Sequence, residues 1–225
     1  MKRVSLYLFI AASIAELTAQ LFSLPEVRLV SKPILLPLLA LYYFLTIREN
    51  KIPVSNVLLL ALVFSWGGDV LLMGEGELFF IFGLVSFLVS HLLYIFTFRQ
   101  FCLEEDSEAL HGLQKLRFAF PIVLYGTGLV VILLPHLGDM TTPVIVYALV
   151  LSLMALNALF RFKRTSPGSF TLVFAGAILF MISDSILAIN KFLEPVAQGG
   201  FWIMSTYIAA QFLIVQGLIS HDRSK

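Results

Sequence analysis

The 225-residue sequence has little charge and almost no cysteine. Only 13% of the residues are charged, with 15 Lys and Arg against 14 Asp and Glu, about half the roughly 25% share of soluble domains. The single cysteine, Cys102, excludes a disulfide framework and any multi-cysteine zinc or iron–sulfur site. A net charge of +1 gives no reason to expect a nucleic-acid partner. Intrinsic disorder is excluded because 59% of the residues are hydrophobic.

Long apolar stretches make up most of the chain, and the mean hydropathy is +0.94. A soluble domain of this size could not keep so much apolar surface from water. Eight stretches have the length and low charge of membrane-crossing helices. We therefore predict an all-α polytopic membrane protein, with residues 1–225 as one integral membrane domain. The predicted spans are 4–24, 33–47, 54–72, 79–98, 118–134, 143–160, 170–190 and 201–219.

The distribution of basic residues predicts how the chain is oriented. If the N-terminus faces the cytoplasm, 12 of the 15 basic residues lie on that side, and Arg28, Lys32 and Lys191 lie on the other. Such a bias is the positive-inside signal, so we expect both termini in the cytoplasm. An acidic stretch at 104–108 marks a loop that must lie in water. We expect a multi-pass protein of a bacterial plasma membrane, or of an internal membrane if the chain is eukaryotic.

Only three charged residues fall within the predicted spans, and all three are acids: Glu16, Asp69 and Asp184. An ionised side chain at mid-bilayer costs about 2.5–3.5 kcal/mol on insertion scales, so such residues are functional candidates. The plainer alternative is that each lies close enough to a helix end to reach water. Asp69 follows Gly67 and Gly68, which allow close approach of another backbone or of a ligand; a simple packing notch is the alternative.

Other polar side chains are predicted at the depth of Asp69 and Asp184, in the outer half of the membrane. They are candidates for binding substrate or orienting the two acids: Lys32, His91, Tyr94, Ser183, Asn190, Tyr207 and Gln211. His91 and Tyr94 continue a helical stripe from Phe87, and Tyr207 and Gln211 share a helix face. Each also has a structural explanation: Lys32 could reach lipid headgroups, His91 could be a core residue, and Ser183 and Asn190 could satisfy helix ends.

The residue types exclude several chemistries. Only His91 of the four histidines lies in a span, so a three-histidine membrane zinc site cannot be built. The sequence also has no G-x-S-x-G or H-E-x-x-H motif. Two buried acids remain, and these suit general acid–base catalysis or proton-coupled transport. A third possibility is a membrane assembly factor whose acids only pack helices, and the residue types alone do not choose among the three.

Five motifs in order resemble the lysoplasmalogenase (YhhN-like) family, over about residues 30–215. Phe64–Met73 resembles its "GD-hydrophobic-L-L" motif, and a Phe82-Gly83-Leu84 to Tyr94 pattern follows. Gly176–Ser185 resembles "GA-x-x-F-x-x-SD", Tyr207 to Gln211 resembles "Y-x-x-x-Q", and Lys32-Pro33 resembles an early "KP" pair. A departure is Trp66, where smaller or aliphatic residues are more usual.

The resemblance implies hydrolysis of the vinyl-ether bond of lysoplasmalogen, an alkenyl lysophospholipid, to a fatty aldehyde and glycerophospho-ethanolamine or -choline. Asp69 and Asp184 would then be the catalytic pair, and Lys32 would attract the phosphate. The remaining candidates would bind the glycerol hydroxyl, water or the acids. The resemblance implies water and a lysophospholipid as reactants, lipids as surroundings, no protein partner, and no metal or organic cofactor. A proton-coupled transporter of a small molecule or lipid is the alternative.

Overall fold

The computed structural model of the protein describes residues 1–103 and 109–223, with side chains up to His221. The predicted acidic loop at 104–108 lies outside the described residues. Over the described ranges the chain forms eight α-helices and no strand. Their apolar composition and length make the chain an integral, multi-pass membrane protein.

The chain divides into two compact units, residues 1–97 and 98–225. The first unit contains α1 (Lys2–Leu21), α2 (Pro25–Glu49), α3 (Asn56–Leu71) and most of α4 (Glu77–Gln100). The second contains the end of α4, then α5 (Gly112–Leu133), α6 (Thr141–Leu159), α7 (Pro167–Ala188) and α8 (Gly199–Arg223). Neighbouring helices within each unit pack against each other along the chain, α1 on α2 on α3, and α5 on α6 on α7 on α8.

Seven helices are long and apolar enough to cross a membrane, and α3 is an apolar helix of 16 residues. At 1.5 Å per residue, α3 extends about 24 Å, against a hydrocarbon core of about 30 Å. The predicted 54–72 span is therefore a slightly short helix whose last turn carries Asp69. Side chains on the outer helix surfaces are apolar, including Ile14, Val30, Phe120 and Val131, which are all well exposed; this is the pattern of a lipid-facing surface.

Helix α2 is much longer than the predicted span 33–47, since it runs from Pro25 to Glu49. Pro25 occupies the first turn, where a missing N–H costs nothing. Arg28 and Lys32 do not end the helix because acids of the same unit, Glu16 and Asp69, lie beside them. The prediction therefore starts this helix too late, because the predicted span excludes the charged residues Arg28 and Lys32.

Arg161 follows α6 and is fully buried, although its sequence position indicates an exposed loop cation. Its Nη2 donates to the Phe101 carbonyl (3.0 Å) and to Ser169 Oγ (2.9 Å). Burial lowers the pKa of Arg161 to about 10, so the guanidinium is still charged at neutral pH. The side chain joins the end of α4 to the start of α7, and Ser169 Oγ in turn donates to the Gly217 carbonyl of α8 (2.7 Å).

Helices α7 and α8 approach closely at Gly176, which opens the predicted "GA" motif. A Cβ at Gly176 would lie 2.8 Å from the Ala210 carbonyl oxygen and 3.0 Å from the Ile214 nitrogen. Only a residue without a side chain allows this backbone contact, as in other small-residue crossings of membrane helices. The contact sets the height of α8 against α7, and hence of the polar residues on both.

Candidate active site

Asp69 and Lys32 form a buried ion pair between α3 and α2. The Lys32 Nζ atom lies 3.9 Å from Asp69 Oδ1, and the two residues are only 5% and 3% exposed. A charge this deep in an apolar environment is tolerated when an opposite charge lies beside it. Lys32 and Asp69, which were predicted only to lie at the same depth, are direct neighbours, and the Lys32 amine is buried inside the protein.

A hydrogen bond from Trp66 determines how α2 and α3 meet at this pair. Pro37 has no backbone N–H, so the Pro33 carbonyl one turn earlier lacks its helical donor. The Trp66 indole nitrogen donates to that carbonyl at 2.8 Å. Because Trp66 is one turn before Asp69, and Pro33 follows Lys32, the same contact brings the ion pair into register. The departure from the usual motif at Trp66 thus has a structural reason.

Glu16 is fully buried and joins α1 to α2 next to the ion pair. It accepts hydrogen bonds from Ser31 Oγ (2.6 Å) and Gln20 Nε2 (2.8 Å), and Arg28 Nε lies 4.0 Å away. Ser31 directly precedes Lys32, so the Glu16 cluster is covalently adjacent to the Lys32–Asp69 pair. In this part of the first unit each of two acids therefore has a base beside it: Arg28 for Glu16 and Lys32 for Asp69.

At Gly68 the same unit has the packing notch that was the alternative to close approach of a backbone or a ligand. A Cβ at Gly68 would lie 2.5 Å from ring carbons of Phe87 on α4, so only glycine lets this aromatic ring contact α3. Along the same stripe, His91 and Tyr94 are fully buried in α4. Ser65 of α3 and Ser90 of α4 share a 2.6 Å hydrogen bond, so the α3–α4 interface is polar as well as close. The stripe is thus a buried face of α4, and its role in binding stays a prediction.

Asp184 lies on α7 in the second unit and is only partly buried. The hydroxyl of Tyr147, on α6, donates to Asp184 Oδ2 at 2.6 Å, a short bond of the kind that carboxyl groups form. The next residue, Ser185, accepts a hydrogen bond of 2.9 Å from Tyr125 of α5. Two tyrosines from two helices therefore hold this stretch of α7.

The other predicted residues of the second unit lie on α7, α8 and the segment between them. Ser183 donates to the Ile203 carbonyl of α8 at 3.0 Å, while Tyr207 and Gln211 are buried on α8. The Tyr207 ring packs edge-on against Phe180, with ring centroids 5.4 Å apart. Asn190 is exposed and accepts the Val196 N–H at 2.9 Å. Ser183 thus joins α7 to α8, and Asn190 binds the backbone of the segment between them; a role of either residue in substrate binding stays a prediction.

Sequence reasoning missed Tyr147 and left Glu16 without a role. Tyr147 lies in an ordinary apolar span, and nothing in the sequence shows that α6 packs beside Asp184. The partners of Glu16 are likewise visible only once α1 and α2 are paired. Within residues 1–103 and 109–223, no group of three His, Cys, Asp or Glu side chains could hold a metal ion. That Asp69 and Asp184 share one cavity stays a prediction.

The fold and these residues define a class: an all-helical, multi-pass membrane protein with carboxyl groups held inside its helix bundles by Lys and Tyr partners. The sequence model of the YhhN family matches residues 27–218. The chain therefore belongs to the YhhN family. The match includes both aspartates, Lys32 and Tyr147, and begins after Glu16.

Curated relatives carry one enzyme name. The chain is 31% identical to the lysoplasmalogenase TMEM86A of Homo sapiens over 195 residues, which covers 80% of this chain and 73% of the relative. It is 34% identical to the human lysoplasmalogenase TMEM86B over 180 residues (80% and 70%). A lysoplasmalogenase of Mycobacterium tuberculosis is 34% identical over 143 residues (61% and 50%). No solved structure matches the chain.

Proposed function

We propose that this protein is a lysoplasmalogenase, which hydrolyses the vinyl-ether bond of a lysoplasmalogen within the membrane. The observation that carries the proposal is the family match over residues 27–218, with curated lysoplasmalogenases aligned over most of the chain. The reactants are the lysophospholipid and water. The proton-coupled transport alternative gains no support from these relatives.

Hydrolysis of a vinyl ether requires a group that donates a proton and a carboxylate that stabilises the resulting cation. Protonation of the β-carbon of the vinyl ether gives an oxocarbenium ion, and water adds to the carbon that bears the ether oxygen. The resulting hemiacetal releases the glycerol oxygen as an alcohol and becomes the fatty aldehyde. Glycosidases meet a related cation with two carboxyl groups, and a carboxylic acid kept neutral by an apolar site can donate the first proton at neutral pH.

Asp69 and Asp184 are our candidates for these two roles. Their local settings support the proposal because each carboxyl group is fixed by a partner from a neighbouring helix. Lys32 lies 3.9 Å from Asp69 Oδ1 and Tyr147 lies 2.6 Å from Asp184 Oδ2. Lys32 would also attract the substrate phosphate. His91, Tyr94, Tyr207 and Gln211 would bind the glycerol hydroxyl and the water, and Ser183 and Asn190 would support α7 and the segment after it.

An apolar cavity of about 400 Å³ beside α7 suits the alkenyl chain. It is lined by Ile178, Met181 and Ile182 of α7 and by Tyr125 of α5, whose hydroxyl binds Ser185 next to Asp184. A chain in this cavity would place its vinyl-ether end near the Asp184 carboxyl group. We further propose that residues 1–225 act as one membrane domain, with both termini cytoplasmic. The membrane is the plasma membrane in a bacterium or an internal membrane in a eukaryote.

The test is aldehyde release from a lysoplasmalogen by the purified full chain, followed with a coupled aldehyde dehydrogenase. In D₂O the aldehyde should carry one deuterium on its α-carbon, because that carbon receives the catalytic proton. Asp69→Asn and Asp184→Asn should each lower turnover about a hundredfold or more, the usual range for removing a general acid or base. Asp139→Asn, at an exposed acid outside the α-helices, is the matched control.

Folding of each variant is checked by size-exclusion chromatography and thermal unfolding. Near-normal turnover in a folded Asp69→Asn or Asp184→Asn protein removes that residue from the pair. A saturated alkyl-ether lysolipid should give no aldehyde, since it has no carbon that can be protonated in this way. A folded wild-type protein that releases no aldehyde contradicts the proposed function.

A further inference from the structure

A cavity of about 450 Å³ in the second unit lies where the end of α4, the start of α5 and the end of α6 meet. Three cations line it: Arg99, Lys115 and Arg164. Among the nine described residues around the cavity there is no acid. None of the proposed catalytic or substrate-binding residues lines this cavity.

Among residues 1–103 and 109–221, the partners recorded for the three cations at the cavity are neutral groups. Arg99 Nε donates to Asn157 Oδ1 at 2.8 Å, and Lys115 Nζ lies 4.2 Å from the centroid of the Phe160 ring. Arg164 Nη2 donates to the Leu103 carbonyl at 3.4 Å. Its Nε is buried and has no hydrogen-bond partner in the described part of the chain. Like charges gathered in one partly apolar cavity repel each other, and a bound anion offsets that repulsion.

The wall opposite these charges is apolar and continues into the membrane-spanning part of the unit. Phe98, Leu153, Leu156 and Phe160 line the cationic cavity. Leu153 and Leu156 also line a second cavity of about 350 Å³ along α5 and α6. That second cavity is walled by Val130, Ala148 and other mostly apolar side chains. The cationic cavity and the second cavity, an apolar groove, share Leu153 and Leu156, so together they fit a ligand with a charged head and an apolar tail.

We propose that this pair of cavities binds an anionic phospholipid, with its phosphate among Arg99, Lys115 and Arg164 and an acyl chain along α5 and α6. Basic pockets between membrane helices are known to take anionic headgroups, and Arg presents donors that fit phosphate oxygens. The groove favours a lipid over free phosphate because a small anion would leave it empty. The site lies on the side where most basic residues of the sequence are predicted, which is where anionic lipids attract cations.

Native mass spectrometry of the full chain in a neutral detergent tests the proposal. Phosphatidylglycerol should be retained roughly tenfold or more over phosphatidylcholine, since each nearby cation favours an anionic lipid. The pocket variant Arg99→Gln/Lys115→Gln/Arg164→Gln should lose this preference. The matched control Arg3→Gln/Lys51→Gln/Arg117→Gln removes the same charge from exposed positions predicted on the same side, and should keep it.

The groove is tested separately. Ala148→Phe fills the second cavity and should weaken retention of phosphatidylglycerol, whereas Val131→Phe on the exposed face of α5 should not. Inorganic phosphate that displaces the lipid at equal concentration would show a free-anion site and overturn the lipid assignment. Equal retention by wild type and pocket variant overturns the site itself. If the triple variant does not fold, the single variant Arg164→Gln replaces it. The readout is binding, so the result is independent of hydrolysis.

Discussion

Three buried or partly buried acidic side chains of this protein each have a partner on a neighbouring helix. Glu16 accepts from Ser31, Lys32 lies beside Asp69, and Tyr147 donates to Asp184. In an apolar environment an unsatisfied polar group costs several kcal/mol, so each of these contacts fixes a side chain in one position. At a candidate catalytic carboxyl group, that fixed position matters for function as well as for stability.

Tyr147→Phe tests this view of Asp184. The substitution keeps the ring and removes only the donor at 2.6 Å, a hydrogen bond worth about 1.5–3 kcal/mol when a charged group takes part. We expect kcat of lysoplasmalogen hydrolysis to fall about 10- to 150-fold, as this energy range converts to rate, with little change in KM.

Tyr43→Phe is the control, since it removes a buried tyrosine hydroxyl that accepts the Ser55 N–H at 3.0 Å and has no part in the proposed catalytic or binding sites. It should lower thermal stability by a similar amount while kcat stays near that of wild type. If both variants lose stability and neither loses kcat, Tyr147 has a structural role only.

At the scale of elements, α2 shows how a carbonyl left without a donor by an internal proline is satisfied from another helix. Pro33 and Pro37 each remove an N–H from the helix, which leaves carbonyls without their usual donors. The Trp66 indole satisfies the Pro33 carbonyl from α3. The prolines of α2 and the tryptophan of α3 therefore form one structural unit, and Lys32 and Asp69 depend on it for their register.

Trp66→Phe should lower the free energy of unfolding by about 1 kcal/mol, the typical net value of one hydrogen bond. Pro37→Ala restores a backbone N–H that can reach the Pro33 carbonyl, so the same substitution should cost much less in that background. A double-mutant cycle by denaturant titration in detergent measures the difference. Trp202→Phe, at the exposed tryptophan of α8, is the control and should cost the same in both backgrounds. Equal costs for Trp66→Phe in the two backgrounds would refute the link to Pro37.

At the scale of the whole molecule, the number of membrane crossings depends on α3. Its 16 residues are apolar, yet the helix is shorter than the other seven. Thinning of the bilayer or snorkelling of flanking side chains accommodates a short span at modest cost. Helix α3 is capped at its start by Ser55, which accepts the Leu58 N–H at 3.3 Å, so its length is set by its own sequence.

Labelling of single cysteines measures the crossings, in a background where Cys102 is replaced by Ser. Arg3→Cys and Arg117→Cys should react with an impermeant maleimide from one side of the membrane only, and Glu194→Cys from the other. The reason is that four helices separate the first two positions and three separate the last two. If Arg3→Cys and Arg117→Cys react from opposite sides, α3 does not cross. If Arg117→Cys and Glu194→Cys react from the same side, the predicted topology of the second unit is wrong.

The sequence by itself determined the fold class, the approximate positions of the helices and the family. Long apolar stretches can only be helices in a bilayer, because every backbone polar group must be satisfied within the segment. Asp69, Asp184 and Lys32 could be singled out because a charge in an apolar stretch is conspicuous. Gly67 and Gly68 could be singled out from the residue type as a point of close approach to a backbone or a ligand or as a packing notch, and the structure has side chains of α4 there.

Only the tertiary structure decided which side chains meet. The start of α2 at Pro25, the burial of Arg161 and the pairing of Tyr147 with Asp184 depend on which helices are neighbours. Which helices are neighbours in a bundle is set by side-chain packing between distant segments. The pattern of apolar residues within one segment does not show which other helix it contacts. For that reason Arg28, Lys32 and Arg161 look like helix-ending or surface charges in the sequence, yet each lies beside a partner supplied by another part of the fold.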